Sequence, residues 1–321
     1  MTRYDRQMIL PEVGTVGQER LRTAHVLVVG AGGLGCPVLQ YLAGAGVGII
    51  TIADPDVIEE SNLHRQPLYS LANVGESKAY AAAARLHGYN PEVEPRALNV
   101  ALDPANAGEL VAQADIIVDA ADTFAASYTL SDECYRQGKP LISASALGTS
   151  GYLGSFCGGA PSLRAVFPSP PTNSANCASA GVLGSAVGSI GAMQAQMTLA
   201  VLLDFSPSPL GRLITVDLKS FEFGGFSFLN AKEPDWQAPF ISMGDISSKD
   251  IVVELRDTSE APQPACKTAL RFTSDDLGQH DFPPAHRIVL CCRTGLRAWR
   301  GAQVLTERGY KDVALIADVG I

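Results

Sequence analysis

Long apolar runs are missing from this 321-residue sequence: none reaches the ~18 residues that a membrane-spanning helix requires, which excludes a helical membrane protein. Clusters of lysine and arginine are missing as well. With 24 Lys and Arg against 33 Asp and Glu, the net charge is −9, and the clustered cations that phosphate contacts demand are not there, so a nucleic-acid binder is excluded. The seven cysteines follow no dense, regular spacing, which argues against a disulfide framework. The opening "MTRYDRQMIL" lacks the charged-then-apolar order of a signal peptide. Both absences point to a reducing cytoplasm. Internal repeats and low-complexity tracts are absent too. What remains, 46% hydrophobic and 18% charged, is the composition of a globular protein long enough for two domains.

Through about residue 230, β-branched runs alternate with alanine-rich segments of helical period. The series is "HVLVVG", a helix from about Leu34, "IITIADP", a helix around "ESKAYAAAARLHG", a short strand "EVEP" at 92–95, and "DIIVDAAD". That alternation is the signature of a parallel sheet with crossover helices, so the predicted class is α/β with a Rossmann-like open sheet. After "KPLISASALG" come "GYLGSFCGG", a Pro/Ser/Asn-rich loop at 167–176, a small-residue helix near 182–203, and paired strands "LITVDL" and "SFEFGGFSF". Strands that follow one another in this way extend the sheet antiparallel. Residues 1–230 therefore read as one domain. "NAKEPDWQAP" combines charge with proline and reads as a linker, spanning 231–242. Residues 243–321, with "DIVVELRD" and "RIVLCCRTGLRAWRGAQVLTERGY", form a smaller α/β unit.

The stretch "VLVVGAGGLGCP" runs a strand into a glycine turn. Gly30, Gly32 and Gly35 have G-x-G-x-x-G spacing, Gly33 lies within the turn, and Asp54 follows at the ~20-residue distance of a dinucleotide fingerprint. Alone, this reads as NAD binding. "DPDVIEESNLHRQPLY" then places Asp54, Asp56, Asn62, Arg65 and Gln66 after the second strand, at the carboxyl edge where an open sheet binds its ligand. Hydride transfer needs no cations there, whereas a triphosphate does, and Arg65 with Lys78 of "VGESKA" supplies them. Asp122 in "VDAADTF" is placed for a magnesium ion, which takes one or two carboxylates with phosphate oxygens. A single Lys or Arg is usually a solvated surface group, but an ordered series at one sheet edge is not. A nicotinamide-dependent oxidoreductase is the weaker reading, and the intact Asp122 opposes a catalytically dead scaffold.

"RYDRQMIL", "GAGGLG", "ADPDVIEESNLHRQ", "VGESKA", "DAADTF" and "CASAGVLGSAVGSIGAMQA", in this order over about residues 3–230, closely resemble the ThiF/MoeB-type activating enzymes, relatives of the ubiquitin-activating enzymes. The resemblance implies ATP with Mg²⁺, and adenylation of the C-terminal glycine of a small ubiquitin-like sulfur-carrier protein ending in Gly-Gly. By the same resemblance Asp54 matches the ribose-binding aspartate, Asn62, Arg65 and Lys78 the phosphate-contacting set, and Asp122 the magnesium-binding, catalytic aspartate. Arg6 matches an arginine that reaches into the partner subunit's site, which implies a homodimer. Cys177 matches the cysteine of a loop that crosses over the active site.

The sequence departs from the family at several positions. Where zinc-binding members carry two Cys-x-x-Cys pairs, this chain has Ser162, Ala165, Trp236 and Pro239, none of them a thiolate, so structural zinc is expected to be absent. Thr123 replaces the usual asparagine after the aspartate, and Ser127 stands where an arginine often follows. In the second unit "LCCRTGLRAW" resembles the active-site loop of a single-domain rhodanese, with Cys292 as the sulfur-carrying residue. Its thiol is expected to face turn amides and a helix N-terminus, with Arg293 and Arg297 adding positive charge, while Cys291 reads as the last, inward-facing strand residue. The rhodanese-like unit reads as shortened: Arg256 and Asp257 are kept, a Gly-His-Ile element is not, and the sequence stops at "ADVGI". A cysteine desulfurase or thiosulfate is the expected sulfur donor, with Cys177 as the second thiol and a thiocarboxylate as the product. The alternative is activation of a peptide or small-metabolite carboxylate beside a vestigial rhodanese-like unit.

Overall fold

The computed structural model describes residues 3–169 and 181–318. Eight strands form one sheet in the order β3-β2-β1-β4-β5-β6-β7-β8. β1 (His25–Val29), β2 (Ile49–Ala53), β3 (Glu94–Leu98), β4 (Ile116–Asp119) and β5 (Pro140–Leu147) run parallel. β6 (Ser150–Cys157), β7 (Arg212–Asp217) and β8 (Glu222–Ser227) continue the sheet antiparallel. The helices in chain order are α1 (Asp5–Met8), α2 (Gly14–Thr23), α3 (Gly35–Ala45), α4 (Lys78–Tyr89), α5 (Pro104–Gln113), α6 (Phe124–Gln137), α7 (Leu163–Val166), α8 (Gly184–Leu202), α9 (Ser274–Leu277) and α10 (Leu296–Glu307). No helix among the described residues is long and apolar enough to cross a membrane.

Every residue of β1 is buried because its alternate side chains serve two cores. Val26 and Val28 join Ile50, Ile52 and Ile116 beneath α3, α4 and α8, whereas Leu27 and Val29 turn toward Val111 of α5 and Leu130 of α6. Burial on both faces is why these strands read as continuous Val/Ile runs. The strand expected at 92–95 begins two residues later. The Asn90 side chain, fully buried, donates to Ala43 O (2.6 Å) and to the Tyr4 hydroxyl (2.9 Å), locking a turn that delays pairing with β2 until Glu94.

β9 (Ile251–Glu254), β10 (Leu270–Arg271), β11 (Ile288–Cys292) and β12 (Val313–Ala317) form a second, parallel sheet in the order β10-β9-β11-β12. Its core is continuous with that of the first unit. Leu290, Cys292, Ala298, Trp299 and Leu305 lie in the same buried cluster as Ile117, Tyr128, Leu130 and Phe156. Gly295, at the turn before α10, has φ +82°, and a Cβ there would sit 2.5 Å from the Phe240 ring and 3.5 Å from the Ala125 methyl carbon. The turn therefore presses on the start of α6.

The segment 231–242, expected as a linker, is bound on both sides. Ala238 and Phe240 are buried in the shared cluster, Leu315 N donates to Pro239 O (2.8 Å), and Ile241 N donates to Leu315 O (2.9 Å). A polar staple fixes its first half. Ser162 donates from N and Oγ to the Glu233 carboxylate (2.7 and 2.6 Å), and Arg164 makes a two-pronged pair with Asp132 (2.6 and 2.8 Å) and donates to Gln237 Oε1. Ser162 also caps α7 through its hydroxyl. Of the four residues at the zinc-ligand positions, Ser162 belongs to this staple and Pro239 to the β12 contact, while Trp236 is 40% exposed.

Candidate active site

The strand order reverses between β1 and β4, and a cavity of about 640 Å³ opens at the carboxyl ends of those strands. This is where an open α/β sheet places its ligand. Gly30, Gly32, Gly33, Asp54, Asp56, Asn62, Arg65, Gln66, Lys78 and Asp122 all line it. Gly30 has φ +95°, and a Cβ there would lie 2.5 Å from Ala120 O. Gly35 does not line the cavity. Its place is structural, since a Cβ would fall 2.0 Å from Gly30 O and force α3 away from the turn.

Asp54 is buried and accepts from Ala31 N (2.7 Å) and Asp56 N (2.8 Å), bracing the glycine turn against the end of β2. Burial raises its carboxyl above the usual range despite those bonds. Lys78 opens α4 and pairs with Asp56 at 2.8 Å; the lysine side chain is 8% exposed and the aspartate 64%. Arg65 donates to Ser61 O (3.1 Å) and contacts His64 Nε2 (2.9 Å). Gln66 is 2% exposed, and its Oε1 has no hydrogen-bond partner among the described residues. A buried acceptor left unpaired on a cavity wall, beside two cations and a glycine cradle, fits a polyanionic nucleotide with donor groups of its own.

Asp122 sits in the turn between β4 and α6, whose first turn Thr123 caps by accepting from Ala126 N (3.4 Å). Two neighbours were not singled out from the sequence. Asp119, the last residue of β4 and 1% exposed, accepts from Ser143 Oγ (2.7 Å) and Ala121 N (3.2 Å). Burial, with the Asp122 charge adding to it, pushes its pKa up to about 6. Gln194 of α8 is fully buried and donates to both Asp119 O (2.7 Å) and Ile142 O (3.0 Å), tying β4 to β5 beneath the site. The other half of the cavity is aromatic and apolar, with Tyr128, Leu147, Tyr152, Leu163 and Phe167.

Arg6 and Cys292 stand elsewhere. Arg6 is exposed on α1 and does not line the cavity of its own chain. Cys177 lies outside the described residues. The Cys292 thiol faces a helix N-terminus, as expected, but from inside the core. β11 continues through Cys292, so it and not Cys291 ends the strand, and both thiols are 0% exposed on opposite faces. Its Sγ accepts from Ala298 N (3.3 Å) inside the core. Arg297 donates to Leu255 O (2.9 Å) and to Glu260 (2.5 Å).

Residues 4–238 match the ThiF family. The chain is 45% identical over 239 residues to the bovine "Adenylyltransferase and sulfurtransferase MOCS3", a match that covers 74% of this chain and 52% of that protein. The chain thus spans about half the length of such curated relatives. With a "Sulfur carrier protein adenylyltransferase" of Thermus thermophilus it is 43% identical over 231 residues, covering 70% of this chain and 85% of that one. The crystal structure of E. coli MccB with ATP shares the fold at a TM-score of 0.62 and 22% identity, over 71% of this chain and 72% of the other. With its glycine turn, its switch-point cavity and a family match over most of its length, the chain belongs to the ThiF family.

Proposed function

We propose that this chain is an ATP-dependent adenylyltransferase acting on the C-terminal glycine of a small ubiquitin-like sulfur-carrier protein, which it prepares for sulfur transfer. The observation that carries this reading is the convergence of Arg65, Lys78, Asp122 and the Gly30–Gly33 turn on one cavity whose other half is apolar. The names of the bovine and Thermus relatives support the acceptor class. In the proposed step a carboxylate oxygen of the carrier's last glycine attacks the α-phosphorus of ATP. A P–O bond forms as the bond to the bridging oxygen of the β-phosphate breaks, and pyrophosphate leaves with that electron pair. Arg65 and Lys78 offset the charge, and Lys78 exchanges its partner cheaply because Asp56 is largely exposed. Asp122 would hold Mg²⁺, which when bound neutralises phosphate charge. Arg6 would complete the partner subunit's site in a homodimer.

For the sulfur step, the terminal sulfur of a Cys292 persulfide, loaded from thiosulfate with loss of sulfite or by a cysteine desulfurase, attacks the acyl carbon, and AMP leaves to give an acyl disulfide on Cys292. Cys177 is the second thiol and releases the acyl group: its thiolate attacks the Cys292 sulfur, the S–S bond to the acyl sulfur breaks, the thiocarboxylate leaves, and the Cys177–Cys292 disulfide is reopened by an external thiol reductant. Because Cys292 is buried among Leu290, Ala298 and Trp299, this step requires the second unit to open. In this reading the staple on Ser162 and Arg164 would take the place of a structural zinc.

Carrier-dependent ATP–pyrophosphate exchange tests the reading. Wild type should exchange, Asp122→Ala should lose at least about 100-fold, and Cys177→Ala and Cys292→Ala should keep near-normal rates, since no thiol acts before the adenylate forms. Exchange supported by a short peptide or metabolite carboxylate but by no carrier would replace this substrate class with the alternative one.

A further inference from the structure

The wall of the apolar half of the cavity is held by a residue of the other unit. Phe167 and Tyr152 line that half with ring centroids 5.1 Å apart. The backbone carbonyl of Phe167 accepts from the Tyr128 hydroxyl at 2.9 Å. Tyr128 is 4% exposed, carries the Arg164 guanidinium 5.2 Å from its ring centre, and meets Trp299 of α10 edge-on, with centroids 4.5 Å apart at 69°. Trp299 is itself 3% exposed. From these contacts we infer that Trp299 is a positioning residue for the acyl half of the cavity, acting through Tyr128 and Phe167 and touching no substrate.

The physical argument is one of packing. A Tyr ring seated in a close-packed interior holds one rotamer only while its neighbours fill the space around it. Removing the indole opens room into which Tyr128 can swing, and its hydroxyl then leaves the Phe167 carbonyl. The glycine turn, Lys78 and Asp122 lie in the other half and keep their own supports from β1, β2 and β4. Loss of Trp299 should therefore weaken the acyl substrate and spare the nucleotide. This also gives the second unit a role that needs no exposed Cys292.

The inference rests on the adenylation reading for its kinetic test, and its second readout does not. With a ubiquitin-like carrier ending in Gly-Gly as the probe, Trp299→Ala should raise the carrier KM about tenfold while kcat and the ATP KM stay within about twofold, and Trp299→Phe should restore it. A folded Trp299→Ala protein with the wild-type carrier KM would overturn the inference. The chain has two tryptophans, so in a Trp236→Phe background Trp299 is the sole tryptophan and can be excited selectively over tyrosine. Adding Tyr128→Phe to that background removes the hydroxyl that the Phe167 carbonyl holds and should shift the Trp299 emission; an unchanged spectrum would also overturn the inference. If the wild type showed no carrier-dependent exchange, the adenylation reading would fall, and the Trp299 emission would still decide this one.

Discussion

Asp119 carries a pH signature at the residue scale. Its pKa is 3.8 in the unfolded chain and rises to about 6 when buried, so between those values the native state keeps a proton that the unfolded chain releases. Stability is therefore greatest below that window, falls as pH rises through it, and stays lower above it, by something on the order of 3 kcal/mol. Urea midpoints measured without Mg²⁺ from about pH 4 to about pH 7 should show this fall in wild type and a flatter profile in Asp119→Asn. The thiols supply a second residue-scale test. Among the described cysteines Cys266 is partly exposed and Cys292 is fully buried, so a maleimide should modify Cys266 first and Cys292 only at the slow rate at which the second unit opens. Rapid native labelling of Cys292 would show that the second unit opens freely.

At the scale of elements, hydrogen bonds and an ion pair staple α7 to the segment 231–242 and to Asp132 of α6. Breaking one partner leaves buried polar groups unpaired, so Glu233→Ala and Arg164→Ala should each cost about 1–3 kcal/mol, read from thermal melts. Elemental analysis should find no stoichiometric zinc, and chelators should leave Tm unchanged; about one zinc per chain would mean other ligands. The sequence disclosed the glycine turn and the residues after β2 because strand period and strand-end position are local properties. It did not disclose that Asp119 rather than Asp122 dips beneath the floor, or that Gln194 bridges two strand carbonyls. Both depend on α8 lying across the β4–β5 pair, a contact between segments some 75 residues apart. The burial of Cys292 was not legible for a similar reason: it lies in a cluster with Phe240, Ala298 and Trp299, which come from separate segments.

For the molecule as a whole, one core serves both sheets, so the two units should not melt separately. Scanning calorimetry of the full chain should show one cooperative transition, and residues 1–242 alone, with Tyr128 and Leu130 uncovered, should aggregate or melt at least about 10 °C lower. Two well-separated transitions would contradict this. The pinch at Gly295 has a further consequence on the evolutionary time axis. A side chain at 295 collides with the Phe240 ring unless position 240 shrinks in the same lineage. Relatives with this junction should therefore pair glycine at 295 with an aromatic at 240, or exchange both together. Recombination that swaps the second unit between such genes should succeed only when the crossover falls between residues 237 and 239, so that Glu233 and Gln237 stay with α7 while Pro239, Phe240 and Ile241 travel with β12.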